Sequence, residues 1–552
     1  MSDGREAWTA RLIVFSLALG GLRDPRLFAV AGAAAWAAVW LQRPSLGPAA
    51  AWLPWLGWAL LSTCVSAQPL AGLPVLARWS AALACASLAS SWDARGRKDW
   101  LRSLLIVAAG LAAAALASGA GRGWRGSMTG LIPPYYNYTA FALSAASAAG
   151  AAWILHPRGV RGPGAKAAAA AGALGVLCVV LARSRGAWLG LGSASIVWSA
   201  RRWGPRALAV PAAAAALLIG AFASGLMPAP VKNLLFKQYR PHAEARPRLW
   251  RAAAGVAADR PWLGTGPGNF AVGFRRRPVE FDGAARWAMG TNYAHSEPLQ
   301  AAAETGWAGL ALWLLGAGAA LAALLRRADD DPAREAAAAA AAAMTAPLLV
   351  DNMLQIPALA ALWLSALAVA SSRSGASRRT WPHGAVAAGA ALALLSWIPG
   401  TLAAVGPARA AALFPAEPGP REDLAYAALA TGKPAEAESH WAAAQSLEPF
   451  NAIHPWRRAQ LAAAAGRWVQ ADRLAARAIE LEPGFMAARL LRAEALVRLG
   501  RAAEARAALD EFRETLARRS EAVPGTNYET AVRTFSPRDY GRVASLVGRS
   551  SF

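Results

Sequence analysis

Charged residues are sparse in this chain and acidic ones sparser still: 16% of positions are charged, with 33 Asp/Glu against 57 Lys/Arg. Beside a hydrophobic content of 56%, that scarcity excludes an ordinary soluble protein and indicates a polytopic membrane protein. Cysteine is nearly missing. Cys64, Cys85 and Cys178 all fall in apolar runs and read as small buried hydrophobes, so neither a disulfide framework nor a metal cluster is expected. No cleavable signal sequence is evident, because the first apolar run is short and lacks a convincing cleavage site; it reads as an uncleaved first span. The formal net charge of +24 could indicate nucleic acid, but much of it lies in short loops between apolar runs, as a positive-inside bias would place it. Nucleic acid is therefore not an expected partner.

What the chain does have is hydrophobic length. Apolar runs that span, or nearly span, a bilayer occur near 10–22, 27–41, 49–66, 73–91, 101–118, 137–155, 167–183, 186–200 and 206–226, then 299–325, 336–350, 354–371 and 384–405. The expected fold is all-α: a polytopic transmembrane bundle of twelve or thirteen spans over residues 1–410, followed by a soluble α-helical repeat domain. Basic residues gather in alternate loops, among them Arg95, Arg97 and Lys98, Arg158, Arg161 and Lys166, Arg201, Arg202 and Arg206, and Arg326, Arg327 and Arg334. This alternation predicts a cytoplasmic N-terminus and an outward-facing segment at 227–297.

Beyond about Pro415 the composition becomes that of a soluble helical protein. Gly432, Gly466 and Gly500 open GKPAEA, GRWVQA and GRAAEA at an interval of 34 residues, and Pro449 and Pro483 recur at the same interval. A 34-residue helix–turn–helix period resembles the tetratricopeptide repeat, which stacks to bury faces that no single unit buries alone. The repeat domain is placed at 415–518, on the same side as the 227–297 segment. The tail, 519–552, gives no readable pattern.

The segment from Met227 to Glu297 interrupts the membrane-like sequence. Between Val231 and Ala294 it carries eleven Lys/Arg and four Asp/Glu, and a loop of this length cannot lie in lipid with its backbone unsatisfied. It suits an anionic, membrane-borne substrate. Arg183 and Arg185, in LARSRGAW, stand on the side that the charge rule disfavours, and boundary arginines usually have a partner; the bland reading is a hairpin whose cations snorkel to the interface. Arg246, Arg248 and Arg251 open a short amphipathic helix. It runs into DRPWLGTGPGNF, where Gly264, Gly266 and Gly268 permit a tight turn but form no dinucleotide fingerprint. His295 precedes an apolar helix, where an imidazole could take a proton near neutral pH. Tyr293 stands beside it in a supporting position. Glu304 lies on one helical face with residues 297 and 300, either orienting His295 or, as a packing group, serving the helix alone.

Together SRGAW, Arg246 four residues before Trp250, DRPWLGTGPGNF and AHSEPLQAAAETGWAGL resemble the O-antigen ligase / O-antigen polymerase family of bacterial membrane glycosyltransferases. The resemblance covers roughly 10–400 and is most specific in 183–310; Ser296 stands where the family often has Asn. It implies an undecaprenyl-diphosphate-linked glycan donor, used at the outer face of the cytoplasmic (inner) membrane in lipopolysaccharide biosynthesis. It further implies that Arg185 and Arg246, with Arg183 and Arg248 beside them, engage the diphosphate, and that His295 activates the acceptor hydroxyl. The acceptor is a lipid-A core, a growing glycan or a protein, and the sequence leaves these open.

The residue types suit that chemistry. Guanidinium is always charged and binds phosphate bidentately where negative charge develops, and a sugar hydroxyl needs a general base within reach. No cofactor is expected, and no metal either, since Asp329, Asp330 and Asp331 fall in the opposite loops and read as a solvated linker. A different-class alternative is a transporter or scaffold whose repeats recruit a protein partner. A transporter, however, would more often place its ionisable residues at the bilayer midplane in broken helices.

Overall fold

The computed structural model describes residues 3–121, 131–132, 136–209, isolated positions between 213 and 225, then 245–277, 291–326, 330–372, 379–517 and 527–549. Most of the 206–226 run, and the arginine-rich segment before 245 and from 278 to 290, lie outside the described residues. Among the described residues the chain is helical, with one isolated bridge between Ser45 and Thr380 and no strand. The helices are α1 (Asp3–Phe15), α2 (Pro25–Gln42), α3 (Leu53–Cys64), α4 (Pro69–Ser90), α5 (Ala94–Gly121), α6 (Tyr136–Leu155), α7 (Pro163–Leu181) and α8 (Arg185–Trp203). There follow α9 (Ala245–Asp259), α10 (Phe270–Phe274), α11 (Glu297–Leu324), α12 (Pro332–Thr345), α13 (Pro357–Ser371), α14 (His383–Leu395), α15 (Ile398–Val405) and α16 (Pro407–Leu413). Every expected apolar run outside 206–226 lies on a helix, and among the described residues six helices are long and apolar enough to cross a membrane.

Local sequence fixes where these helices start. Asp24 accepts from the N–H groups of Arg26 and Leu27 at 2.8 and 3.1 Å ahead of Pro25, and Asp331 accepts from Ala333 N at 2.9 Å ahead of Pro332. Each is an acidic cap followed by a proline that needs no N–H partner. Asp331 is thus more than a linker residue, and Arg97 also pairs with it at 2.7 Å. The alanine run of α12 is buried on every side, from Ala336 to Met344. Its small side chains let α6, α8 and α13 pack closely against it. Arg201 on α8 is buried against Glu335 on α12 and donates to Leu324 O at 3.0 Å, closing the end of α11. Cys85 and Cys178 are buried as expected, whereas Cys64 is exposed at the end of α3.

One helix is broken on purpose. α11 departs from helical geometry at Gly306, with φ 72° and ψ 179°. The carbonyls released there are taken up at once: Thr265 N donates to Ala303 O at 3.0 Å and Gly266 N to Glu304 O at 2.8 Å. Trp58 Nε1 reaches Thr305 O at 3.0 Å, and Trp307 N donates to Pro261 O at 2.7 Å. The glycine-rich turn after α9 is therefore stitched to the break, which is how a spanning helix can be interrupted without orphaned backbone groups.

The C-terminal part consists of helical hairpins: α17 (Pro418–Ala430) with α18 (Pro434–Leu447), α19 (Ile453–Ala464) with α20 (Trp468–Leu481), and α21 (Met486–Arg498) with α22 (Ala502–Ala517). Gly432, Gly466 and Gly500 end the first helix of each at φ 71°, 71° and 75°. The next residue then donates back to Ala428 O, Ala462 O or Leu496 O at 2.8, 2.9 and 2.9 Å. That is a Schellman stop, the same in all three turns. The tail adds α23 (Asn527–Arg533) and α24 (Pro537–Arg549), whose Val543 and Val547 join Met486, Leu490 and Phe512 in one core. The hairpins seat on the membrane part through Glu448, which accepts from Arg275 at 2.7 Å and from Gln68 at 2.6 Å.

The break at Gly306 is testable. A Cβ there would lie 2.5 Å from Pro261 O, on a backbone conformation that only glycine adopts readily. Gly306→Ala is expected to cost about 3 kcal/mol or more, read as a lower melting temperature in detergent. Gly318→Ala on the same helix, where a Cβ meets nothing within 4 Å, is the control and should be neutral. Equal melting of both variants would remove the stitched-break account.

Candidate functional site

The site forms around a carboxylate in the irregular segment between α12 and α13. Asp351 is 4% exposed. Its Oδ2 accepts from Arg246 Nη2 at 3.2 Å and from Asn137 Nδ2 at 3.1 Å, while Oδ1 accepts from Asn352 N at 3.0 Å. His295 Nδ1 stands 3.5 Å from Oδ1, the outer limit of a hydrogen bond, and has no other partner among the described residues. Arg246 also donates to Val350 O at 2.6 Å. Burial, the largest single influence, would raise the Asp351 carboxyl; His295, the Arg246 charge and the Asn352 N–H together outweigh it and hold the group below its ordinary value.

His295 is itself held in a costly conformation. Its φ of 52° is left-handed, a region that side chains other than glycine occupy at a cost of about 1–2 kcal/mol. Three contacts enforce it. Trp250 Nε1 donates to His295 O at 3.2 Å, and Gln300 Oε1 accepts from Ala294 N at 2.6 Å. Glu297 Oε1 accepts from Leu354 N at 2.9 Å, tying the start of α11 to the segment that carries Asp351. Beneath them Leu249, Val256, Phe270, Phe274, Ala294 and Ala303 form one small core that joins α9, α10 and α11. Backbone strain enforced from several sides is a common mark of a functional position.

The structure brings together some of the sequence-expected residues and separates others. His295 and Arg246 share Asp351. Arg185 opens α8, and a Cβ at the adjoining Gly186 would lie 3.9 Å from Asp351 Oδ2, so the positive end of α8 faces this carboxylate. Arg183 is left-handed at φ 51°. Arg183 and Arg185 are both exposed, and their side chains form no ion pair or hydrogen bond among the described residues. Arg248 is two residues beyond Arg246 and so projects from another face of α9. Glu304 does not reach His295; it accepts from Gln300 Nε2 at 2.7 Å and acts through that residue. Tyr293 is half-buried, and its backbone pairs with Thr291 Oγ1.

Sequence reasoning missed Asp351, Asn137, Glu297 and Gln300. The available signal was VDNMLQ, an acidic residue at the end of an apolar run, where ionisable groups are rarely idle. Among the described residues, one group could hold a metal by proximity: Glu422, Glu448 and His454, with ligand atoms within 4.8 Å of one another. Protein donors already occupy it, since Glu448 holds Arg275, Gln68 and Asn451, and His454 Nε2 stands 2.7 Å from Glu422. The arrangement at Asp351 offers an oriented imidazole and one paired guanidinium, with the exposed Arg185 opening the helix that faces it.

Asp351→Asn should lower the melting temperature by several degrees at pH 7, because Arg246 loses its anion. Stability lent by a lowered carboxyl is present above the unfolded value of about 3.9 and lost as pH falls through the folded one. The gap to wild type should therefore hold down to about pH 4 and close in stronger acid. A gap absent at pH 7, or widening in acid, would refute this picture.

Among curated proteins none matches the chain. Residues 170–314, which run from α7 through Arg183, Arg185, Arg246 and His295 into α11 but stop short of Asp351, match the family described as O-Antigen ligase.

Proposed function

We propose that this protein transfers a glycan from undecaprenyl diphosphate to an acceptor hydroxyl, with the lipid-A core as acceptor, at the outer face of the bacterial cytoplasmic membrane. The observation that carries the reading is the convergence of Arg246 and His295 on Asp351, which the first turn of α8, opened by the exposed Arg185, also faces. The likeness of 170–314 to the O-antigen ligase family supports it.

In this reading Arg185, Arg183 and Arg246 hold the donor diphosphate. Arg246 gives one donor to Asp351 and one to Val350 O, which leaves three of the five that a guanidinium carries. Asp351 draws His295 Nδ1 towards itself and leaves Nε2 to accept the proton of the acceptor hydroxyl. The acceptor oxygen bonds to the anomeric carbon and the bond from that carbon to the phosphate oxygen breaks. The electron pair leaves on the diphosphate, where the arginines meet the charge. Asp351 then stabilises the imidazolium. These residues supply the positive charge without a metal ion.

The C-terminal hairpins act in this reading as tetratricopeptide-like repeats on the outer side. Their seat on Gln68 and Arg275, next to the α9–α10 unit, favours one second reading, transfer to a protein acceptor. Deleting the gene and running surface lipopolysaccharide and glycoproteins on gels separates the two. Loss of glycan from lipid-A core supports the first, loss only from glycoprotein the second, and no change in either removes glycan transfer.

His295→Ala should slow transfer by about a hundredfold or more at neutral pH and should not recover with added donor. Arg246→Lys and Arg185→Lys keep charge but lose the planar fork, so the apparent affinity for donor should fall sharply. Full activity in His295→Ala would remove the base assignment, and normal donor use in both lysine variants would remove theirs. For orientation, Val469, 71% exposed on α20, is the probe. Val469→Cys in a Cys64→Ala background should react with an impermeant maleimide in intact spheroplasts; labelling only after permeabilisation would reverse the topology.

A further inference from the structure

Away from Asp351 a shallow, open cleft of about 50 Å³ lies between α1, α2 and α4. Its walls are small and apolar, with Ile13, Phe28, Gly32, Ala34, Ala82 and Cys85 among them. Three polar side chains also line it. Thr9 accepts from Trp92 Nε1 at 3.2 Å and Ser16 Oγ donates to Ile13 O at 2.6 Å, so both are satisfied. Arg78 differs. It is 8% exposed, it reaches Gln355 Oε1 at 2.9 Å and Gln355 O at 3.4 Å, and its Nε has no partner. Among the described residues no carboxylate stands within ion-pair distance of it. Glu297 and Glu304 act on it only through space, and they are held by Leu354 N and Gln300.

A buried guanidinium without an anion is expensive, and at membrane level it marks a binding role more often than a packing one. The shape of the cleft says what kind. Arg78, Ala81, Ala82, Cys85 and Leu88 line one wall, which is a single face of α4. From 78 to 88 that face runs about 15 Å at the helical rise, close to half of a hydrocarbon core of about 30 Å. Gln355 lies in the irregular segment where α13 begins, so the Arg78 side chain, from the middle of α4, meets the start of α13, with the apolar trough running from it towards the other face.

We propose that this cleft holds one anionic phospholipid of the surrounding bilayer, with its phosphate on Arg78 and one acyl chain along the trough. One leaflet of length suits an acyl chain; a polyprenyl chain would overrun it. Because Arg78 holds Gln355, the bound lipid also braces the segment that carries Asp351, but its binding does not rest on the glycosyl-transfer reading.

The test is native mass spectrometry of the full chain in mild detergent, titrated with phosphatidylglycerol or with phosphatidylcholine of the same chains. Wild type should retain one phosphatidylglycerol in clear preference. Arg78→Gln should bind it about tenfold more weakly, the loss of one charge-assisted contact, and fall to the level of phosphatidylcholine, whereas Arg78→Lys should keep the preference. Ala34→Leu, at a half-buried wall position, should weaken both lipids, and it tests the trough should Arg78→Gln fail to fold. Equal binding of the two lipids by wild type, an unchanged preference in Arg78→Gln, unaltered binding in Ala34→Leu, or displacement of phosphatidylglycerol by a polyprenyl phosphate would each overturn the proposal.

Discussion

A carboxylate buried in a membrane protein must be surrounded by donors, and Asp351 organises its end of the bundle for that reason. Its oxygens take Arg246 from α9, Asn137 from α6 and the N–H of Asn352, and the first turn of α8 faces it. Each of these comes from a different part of the chain. Satisfying one charge therefore fixes four elements relative to one another, and His295 is placed by the same requirement. Removing the charge would leave Arg246 with Val350 O alone among these contacts.

The second constraint is the backbone of α11. A spanning helix that breaks exposes carbonyls that lipid cannot satisfy. Here the break faces the glycine-rich turn after α9, where Gly264 at φ 63° comes so close to Glu304 that a Cβ would sit 2.4 Å from its carbonyl carbon. Tight packing on one side and left-handed strain at His295 on the other belong to the same stretch of chain. Glu297 and Gln300 lie between them, and both reach outward to hold neighbouring segments rather than each other.

Local signals were legible in the sequence and distant pairings were not. The apolar runs announced the helices, since hydrophobic length is a property of neighbouring residues. Gly432, Gly466 and Gly500 announced the 34-residue period, and each falls at a left-handed helix end, which calls for glycine. His295 and Arg246 stood out as polar groups beside membrane-like sequence. Asp351 did not, because its meaning comes from partners 105 residues away at Arg246 and 214 away at Asn137. Arg201, read from the sequence as loop charge, is buried against Glu335 for the same reason. The exposure of Cys64 was likewise hidden, since an apolar run does not say which of its residues face lipid.

The seat of the C-terminal hairpins extends the same logic outward. Glu448 is nearly buried, and Arg275, Gln68 and Asn451 together hold its carboxyl below the ordinary range against the burial that would raise it. Arg275 follows directly on α10, and Phe270 and Phe274 of α10 pack in the core that contains Leu249 and Ala294. Leu249 is three residues from Arg246, and Ala294 is next to His295. A continuous path of packed side chains thus runs from the hairpins to both residues at Asp351. The hairpins are joined to the site by packed side chains, a continuity that a domain tethered only by the α16 linker would lack.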